Sequence, residues 1–350
     1  MVSFKKILLF LMCLSLLCFI SIAKDSKTKA NAQERKPGEL FPDIKPFKTG
    51  FLKVSQLHEI YYECCGNPQG KPVMVLHGGP GYGSYPRLRR YFNPEKFFIV
   101  LHDQRGAGKS KPYAETRENT TQNLVEDIER LKNHLKFEKV LIFAGSWGST
   151  LALAYAETYP GNVTGMILRG VFLGSEEELE FHYRGIRYLY PAEYDRVIKT
   201  IPKDEKRLIA DYIWDLLQGN DLQQQEKCLM ALARLEFKMM KLEVPDERIS
   251  NYLSRVSFKD FKRSYLVDLY YVSNRYFLEE GQLLRDAAKI SHIPITLING
   301  RYDLASPPIG AYRLHKRLPK SKLIIVEKAG HSETEPGITS ALIKAVSEFE

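Results

Sequence analysis

Residues 139–159 read KVLIFAGSWGSTLALAYAETY. Val140, Leu141, Ile142 and Phe143 form a continuous apolar run, which suits a strand buried on both faces of a parallel sheet. The small residues of Gly145-Ser146-Trp147-Gly148-Ser149 separate that run from Leu151, Leu153 and Tyr155. A strand must therefore give way to a helix within about one turn of chain, the geometry of a nucleophile elbow. Ser146 stands at the apex. Its hydroxyl is expected to project above the sheet, and the Trp147 amide, at the helix N-terminus, to face an oxyanion formed beside it. The full elbow pattern is G-x-S-x-G. Here Ala144 stands two residues before the serine, so the first position keeps small size without the backbone freedom of glycine. A serine in a strand-to-helix turn is common, so its partners elsewhere in the chain have to decide.

An activated serine needs a base, and the base needs an acid to orient it, presented from separate loops at one edge of the sheet. The late part of the chain supplies both. Residues 294–299 read as a buried strand followed by Gly300-Arg301-Tyr302-Asp303, and residues 323–327 as another followed by Ala329-Gly330-His331-Ser332. Asp303 and His331 thus fall at carboxyl ends of strands, where an open α/β sheet keeps its site. The order Ser146, Asp303, His331 is that of α/β-hydrolases.

Upstream of the elbow, residues 51–54 and 59–65 look like paired strands, and 72–77 and 97–102 like buried ones. The loop His77-Gly78-Gly79-Pro80-Gly81 follows the third of these, and Asp103-Gln104-Arg105-Gly106 the fourth. Thr120 or Thr121 can cap a helix in which Leu124, Val125, Ile128, Leu131 and Leu135 recur at helical spacing. Residues 163–171 make a further strand. Strand and helix alternate from 72 to 171 and again from 294 to 349, as an α/β sheet requires. Between them the pattern is helical, with Leu208, Ile209, Tyr212, Ile213, Leu216 and Leu217 on one face. The expected architecture is an α/β-hydrolase fold with a mostly parallel sheet. Its core comprises residues 47–173 and 291–350, and an all-helical cap of residues 174–290 is inserted in it.

The 350 residues carry a formal charge of +9, but Lys and Arg are scattered among 42 acidic residues, which reads as a solvated basic surface. No reader motif for nucleic acid is present. Cys64 and Cys65 are adjacent and Cys228 is distant, so the spacing offers neither a metal site nor an even disulfide framework, and buried thiols are expected. No cofactor is called for. At the N-terminus, Lys5 and Lys6 precede an almost wholly apolar stretch, 7–23, ending Ser21-Ile22-Ala23. That is the layout of a signal peptide or an uncleaved membrane anchor, so export is expected, to the periplasm or beyond, with residues 7–23 the tether if they remain. Residues 24–46, with hardly any apolar periodicity, read as a linker.

With HGGPG at 77–81, DQRG at 103–106, GSWGSTLAL at 145–153, GRYD at 300–303 and AGHS at 329–332, the chain resembles the proline iminopeptidases. These are serine peptidases of the α/β-hydrolase fold, also called prolyl aminopeptidases. The likeness spans roughly residues 45–350, and GQLLRD at 281–286 resembles the end of that family's cap. The resemblance implies Ser146 as nucleophile, His331 as base and Asp303 as its orienting acid. It implies the Gly79 and Trp147 amides as oxyanion hole, with Gly78 a near alternative to Gly79. It also implies two cap carboxylates that hold a substrate ammonium: Glu236 matches plainly, and the second falls on Asp268, one methylene shorter than the family glutamate. Phe172 matches an aromatic wall of the proline pocket. Glu236 lies on a helical stripe with Leu229, Leu232, Ala233, Met239 and Met240, and a carboxylate there needs a partner. A bound ammonium would serve, and so would Arg234 or Arg255. The implied activity is release of N-terminal proline, or a similar residue, from a peptide or small aminoacyl substrate with a free N-terminus. An esterase or other acyl hydrolase on the same scaffold is the alternative, followed by an exported binding module without catalysis.

Overall fold

A computed structural model describes residues 38–350. The expected signal or anchor segment, 1–23, and most of the linker lie outside the described residues. Eight strands form one sheet: β1 (Lys48–Lys53), β2 (Glu59–Gly66), β3 (Lys71–Leu76), β4 (Phe97–His102), β5 (Val140–Gly145), β6 (Val163–Arg169), β7 (Ile295–Gly300) and β8 (Lys322–Val326). Their order is β1-β2-β4-β3-β5-β6-β7-β8. β2 pairs antiparallel with β1 and β4, and every later pairing is parallel. Parallel strands end on the same edge, so the loops after β3, β5, β6, β7 and β8 meet there.

Helix α1 (Thr121–His134) starts where the Thr120 side chain accepts from the Asn123 amide, which decides between the two candidate caps. α2 (Trp147–Thr158) follows the elbow and is buried from Trp147 through Glu157, as a helix apolar on all sides should be. Between β6 and β7 run α3 (Glu176–Tyr183), α4 (Pro191–Ile198), α5 (Ile209–Gln218), α6 (Leu222–Met239), α7 (Asp246–Leu253), α8 (Phe258–Ser273) and α9 (Gln282–Arg285), with no strand among them. α5 packs on α8 and α4 on α6. Ile209, Ile213 and Leu217 of the expected stripe are buried. α10 (Pro308–Arg317) and α11 (Pro336–Ser347) complete the chain.

The sheet separates two apolar clusters. One joins α1, α2 and the helical insert, and the other holds Tyr91, Phe92, Phe143 and α11. Cys64, Cys65 and Cys228 are free thiols in the interior. Burial pushes Cys64 up to about 11 and Cys65 up to about 12, so both are poor nucleophiles. Among the described residues no helix is long and apolar enough to cross a membrane.

Candidate active site

Ser146 sits between β5 and α2 at φ 58°, ψ −134°, a conformation rare for a residue with a Cβ. The neighbourhood holds it there. Its amide donates to Arg169 O at 2.8 Å, and its carbonyl accepts from Ser149 N at 2.7 Å and Ser149 Oγ at 2.6 Å. A Cβ on Gly148 would lie 2.4 Å from Leu76 O, so glycine is required for helix α2 to approach β3.

His331 and Asp303 come together as expected: His331 Nδ1 is 2.9 Å from both carboxylate oxygens. Asp303 also accepts from the amides of Ser306 at 2.7 Å and Ala305 at 3.1 Å, which fix its plane. With Nδ1–H turned to Asp303, Nε2 carries the lone pair a base needs. That lone pair faces Arg169 Nη1 at 3.1 Å, while no hydrogen bond joins Ser146 to His331. A base at Nε2 would therefore become available to Ser146 only once the guanidinium moves aside. Hydrogen bonds of this kind commonly tighten only once substrate is bound. Arg169 also donates to His331 O at 3.0 Å and lies 3.7 Å from Glu333, whose other oxygen accepts from Tyr85 Oη at 2.5 Å. Neither Arg169 nor Glu333 stands out in the sequence as a site residue. The available signal was a charged residue ending a buried strand next to the elbow strand.

The HGGPG and DQRG loops are braced against each other. His77 Nδ1 donates to Gly78 O at 2.8 Å, and its Nε2 accepts from Gln104 N at 3.0 Å. The two ends of one trans peptide point opposite ways, so fixing the Gly78 carbonyl turns the Gly79 N–H away from the His77 ring. Gln104 Nε2 donates to His77 O at 3.0 Å, and its Oε1 accepts from the Trp147 indole at 2.8 Å. Gln104 thus ties together the loops that bear both expected oxyanion donors. Asp103 fastens the far side by accepting from Ser84 N, Ser84 Oγ and Lys109 N at 2.6–2.8 Å.

These residues open onto a cavity of about 160 Å³ lined by Gly78, Gly79, Ser146, Trp147, Phe172 and His331 on the core side. From the insert, Glu236 on α6 and Asp268 on α8 line the same cavity. The partners of Glu236 are Tyr265, whose hydroxyl donates at 2.6 Å, and His182, 3.7 Å away. Arg234 reaches Ser250 instead, so the arginine pairing considered from the sequence does not occur there. Burial and the neighbouring Glu236 carboxylate push Asp268 well above the usual carboxylate range. A buried acid pair lining one cavity favours a cation beside it. Phe172 is buried and meets Tyr276 edge to face at 5.0 Å.

The fold and this site define the class, a serine hydrolase of the α/β-hydrolase fold, and residues 71–333 match the family described as alpha/beta hydrolase fold. A protein of Leptolyngbya boryana named "Probable proline iminopeptidase" is 44% identical over 89% of this chain and 97% of its own. A "Proline iminopeptidase" of Arabidopsis thaliana is 42% identical over 87% of this chain and 80% of its own. The crystal structure of a proline iminopeptidase-related protein from Thermus thermophilus superposes with a TM-score of 0.56 at 22% identity, covering 86% of this chain and 97% of that one. The chain belongs to the proline iminopeptidase family.

Proposed function

We propose that this protein is a serine exopeptidase that releases proline from the free N-terminus of peptides through an acyl-enzyme. Ser146 attacks the first carbonyl, His331 takes its proton and returns it to the leaving amine, and Asp303 holds the imidazole in the required tautomer. The Trp147 and Gly79 amides stabilise the oxyanion, each such donor contributing about 3 kcal/mol to the transition state. The observation that carries the reading is the placement of Glu236 and Asp268 in the same cavity as Ser146. An endopeptidase or a general esterase has no use for a buried acid pair in the cavity that holds its nucleophile. A protonated secondary amine, one residue's length from the scissile carbonyl, neutralises it.

Two variants test the roles separately. Ser146→Ala abolishes turnover of prolyl amides and labelling by a fluorophosphonate probe while leaving the fold intact, because the side chain supports no core. Glu236→Gln lowers kcat/KM on prolyl amides by about two orders of magnitude or more. The same variant retains most of its activity on small neutral esters, which never use the charge. Equal losses on both substrate types would place Glu236 in the fold rather than in recognition.

A further inference from the structure

Glu335 stands at the N-cap of α11, a position where a short polar side chain ordinarily closes the helix by accepting from one of its free amides. Its own side chain makes no such bond. The carboxylate, on a residue 9% exposed, turns back over the preceding loop instead. Oε2 accepts from the Gly330 amide at 2.5 Å, and Oε1 from the Leu242 amide at 2.7 Å. Gly330 immediately precedes His331, and Leu242 belongs to the insert, in the segment between α6 and α7. One carboxylate thus bridges the loop that bears His331 and the helical insert.

On the other side of His331, the Ser332 amide donates to Met240 O at 2.8 Å. Both chain neighbours of His331 are therefore bonded to the same segment of the insert, residues 240–242, one through Glu335 and one directly. A Cβ on Gly330 would lie 3.0 Å from Leu242 N and 3.1 Å from Lys241 C, so glycine is what lets the two backbones come this close. Met239 and Met240 also line the cavity above Ser146. The segment that grips the His331 loop is thus continuous with a wall that a bound substrate would touch.

We propose that Glu335 is a positioning residue for the base: by joining Leu242 to Gly330 it makes the alignment of His331 depend on the insert being seated on the core. The proposal rests on the reading of His331 as the base for Ser146. Asp303 fixes the imidazole at Nδ1, but the backbone that carries the ring is fixed by these amides. A misplacement of about 1 Å at a reacting group can cost about a hundredfold in rate, so the grip on that backbone matters. Both partners of Glu335 are N–H donors, and the bridge needs two acceptor oxygens. A glutamine in the same place satisfies one amide and turns its own NH2 group against the other.

The test compares the parent with Glu335→Gln, Gly330→Ala and the double variant, by the rate of fluorophosphonate labelling of Ser146 and by kcat and KM on a prolyl amide and a small neutral ester. Gly330→Ala wedges a Cβ against residues 241–242 and loosens the same contact without altering Glu335. Each single variant is expected to lower the labelling rate and kcat by about tenfold or more, on amide and ester alike, with KM nearly unchanged. The double variant loses no more than the worse single one, because both changes act on one contact. A folded Glu335→Gln enzyme with the parent's labelling rate and kcat would overturn the proposal, as would a loss confined to KM or losses that simply add. Should Glu335→Gln not fold, Gly330→Ala carries the test on the same terms. A parent that takes no label refutes the serine mechanism proposed above, whereas a labelled parent with unmoved variants refutes only the link through Glu335.

Discussion

At the scale of single residues, the site is held in conformations its residues do not favour alone. Ser146 adopts φ 58°, ψ −134°, a cost of about 1–3 kcal/mol for a residue with a Cβ. Glycine at this position removes the strain but gives up about 0.5–1 kcal/mol of chain entropy. Ser146→Gly is therefore expected to be inactive and more stable than Ser146→Ala by about 1 kcal/mol, read as a higher denaturation midpoint at equal slope. Equal midpoints for the two variants would mean that the turn stores no strain.

At the scale of elements, most of what places the site was legible in the sequence. The apolar runs of β5, β6 and β7 and the loops after them put Ser146, Asp303 and His331 on one edge of the sheet before any geometry was known. A four-residue apolar run that ends in small turn residues is too short for a core helix and reads by its length as a buried strand. What escaped were partners supplied across elements. Arg169 on His331 Nε2, Tyr265 on Glu236 and the left-handed turn at Tyr276 all depend on how the insert settles over the core. Helical periodicity tells which face of α6 is buried, but not which side chain of α8 or α3 will stand opposite Glu236. The same limit explains why Arg234, a near neighbour in sequence, was a reasonable partner to consider and the wrong one.

Glu157, near the end of α2, is a second effect at this scale. It is 8% exposed, where α2 packs on α9 and the turn Ala287–Ile290, and neither carboxylate oxygen has a hydrogen-bond partner among the described residues. Burial, reinforced by Asp286, pushes its pKa up from 4.5 to about 8. A raised carboxyl pKa means the folded state keeps a proton that the unfolded state has released. The stability contributed by Glu157 is thus fully present below pH 4.5 and is lost as pH rises towards about 8. Glu157→Gln is expected to match the parent at pH 4 to 5 and to exceed it by about 4 kcal/mol near pH 8, in urea titrations at each pH. A constant difference across that window would show that Glu157 does not titrate there.

At the scale of the whole molecule, the proposed nucleophile and the proposed selector belong to different parts of the chain. The sheet edge provides Ser146, His331 and the Gly79 and Trp147 amides, and the insert provides Glu236 and Asp268. The cavity lies between them. An interior peptide bond would have to bring a neutral amide against the acid pair and leave it without the cation that an N-terminal amine supplies, at a cost of about 3–5 kcal/mol. On the proposed reading, selection of the chain end is thus a property of the insert sitting on the core, not of the triad. The direct measurement is kcat/KM for a prolyl amide against its N-acetylprolyl counterpart. Acetylation is expected to cost about two to four orders of magnitude, whereas comparable rates on the two substrates would contradict recognition of the free amine and leave an acyl hydrolase with no interest in it.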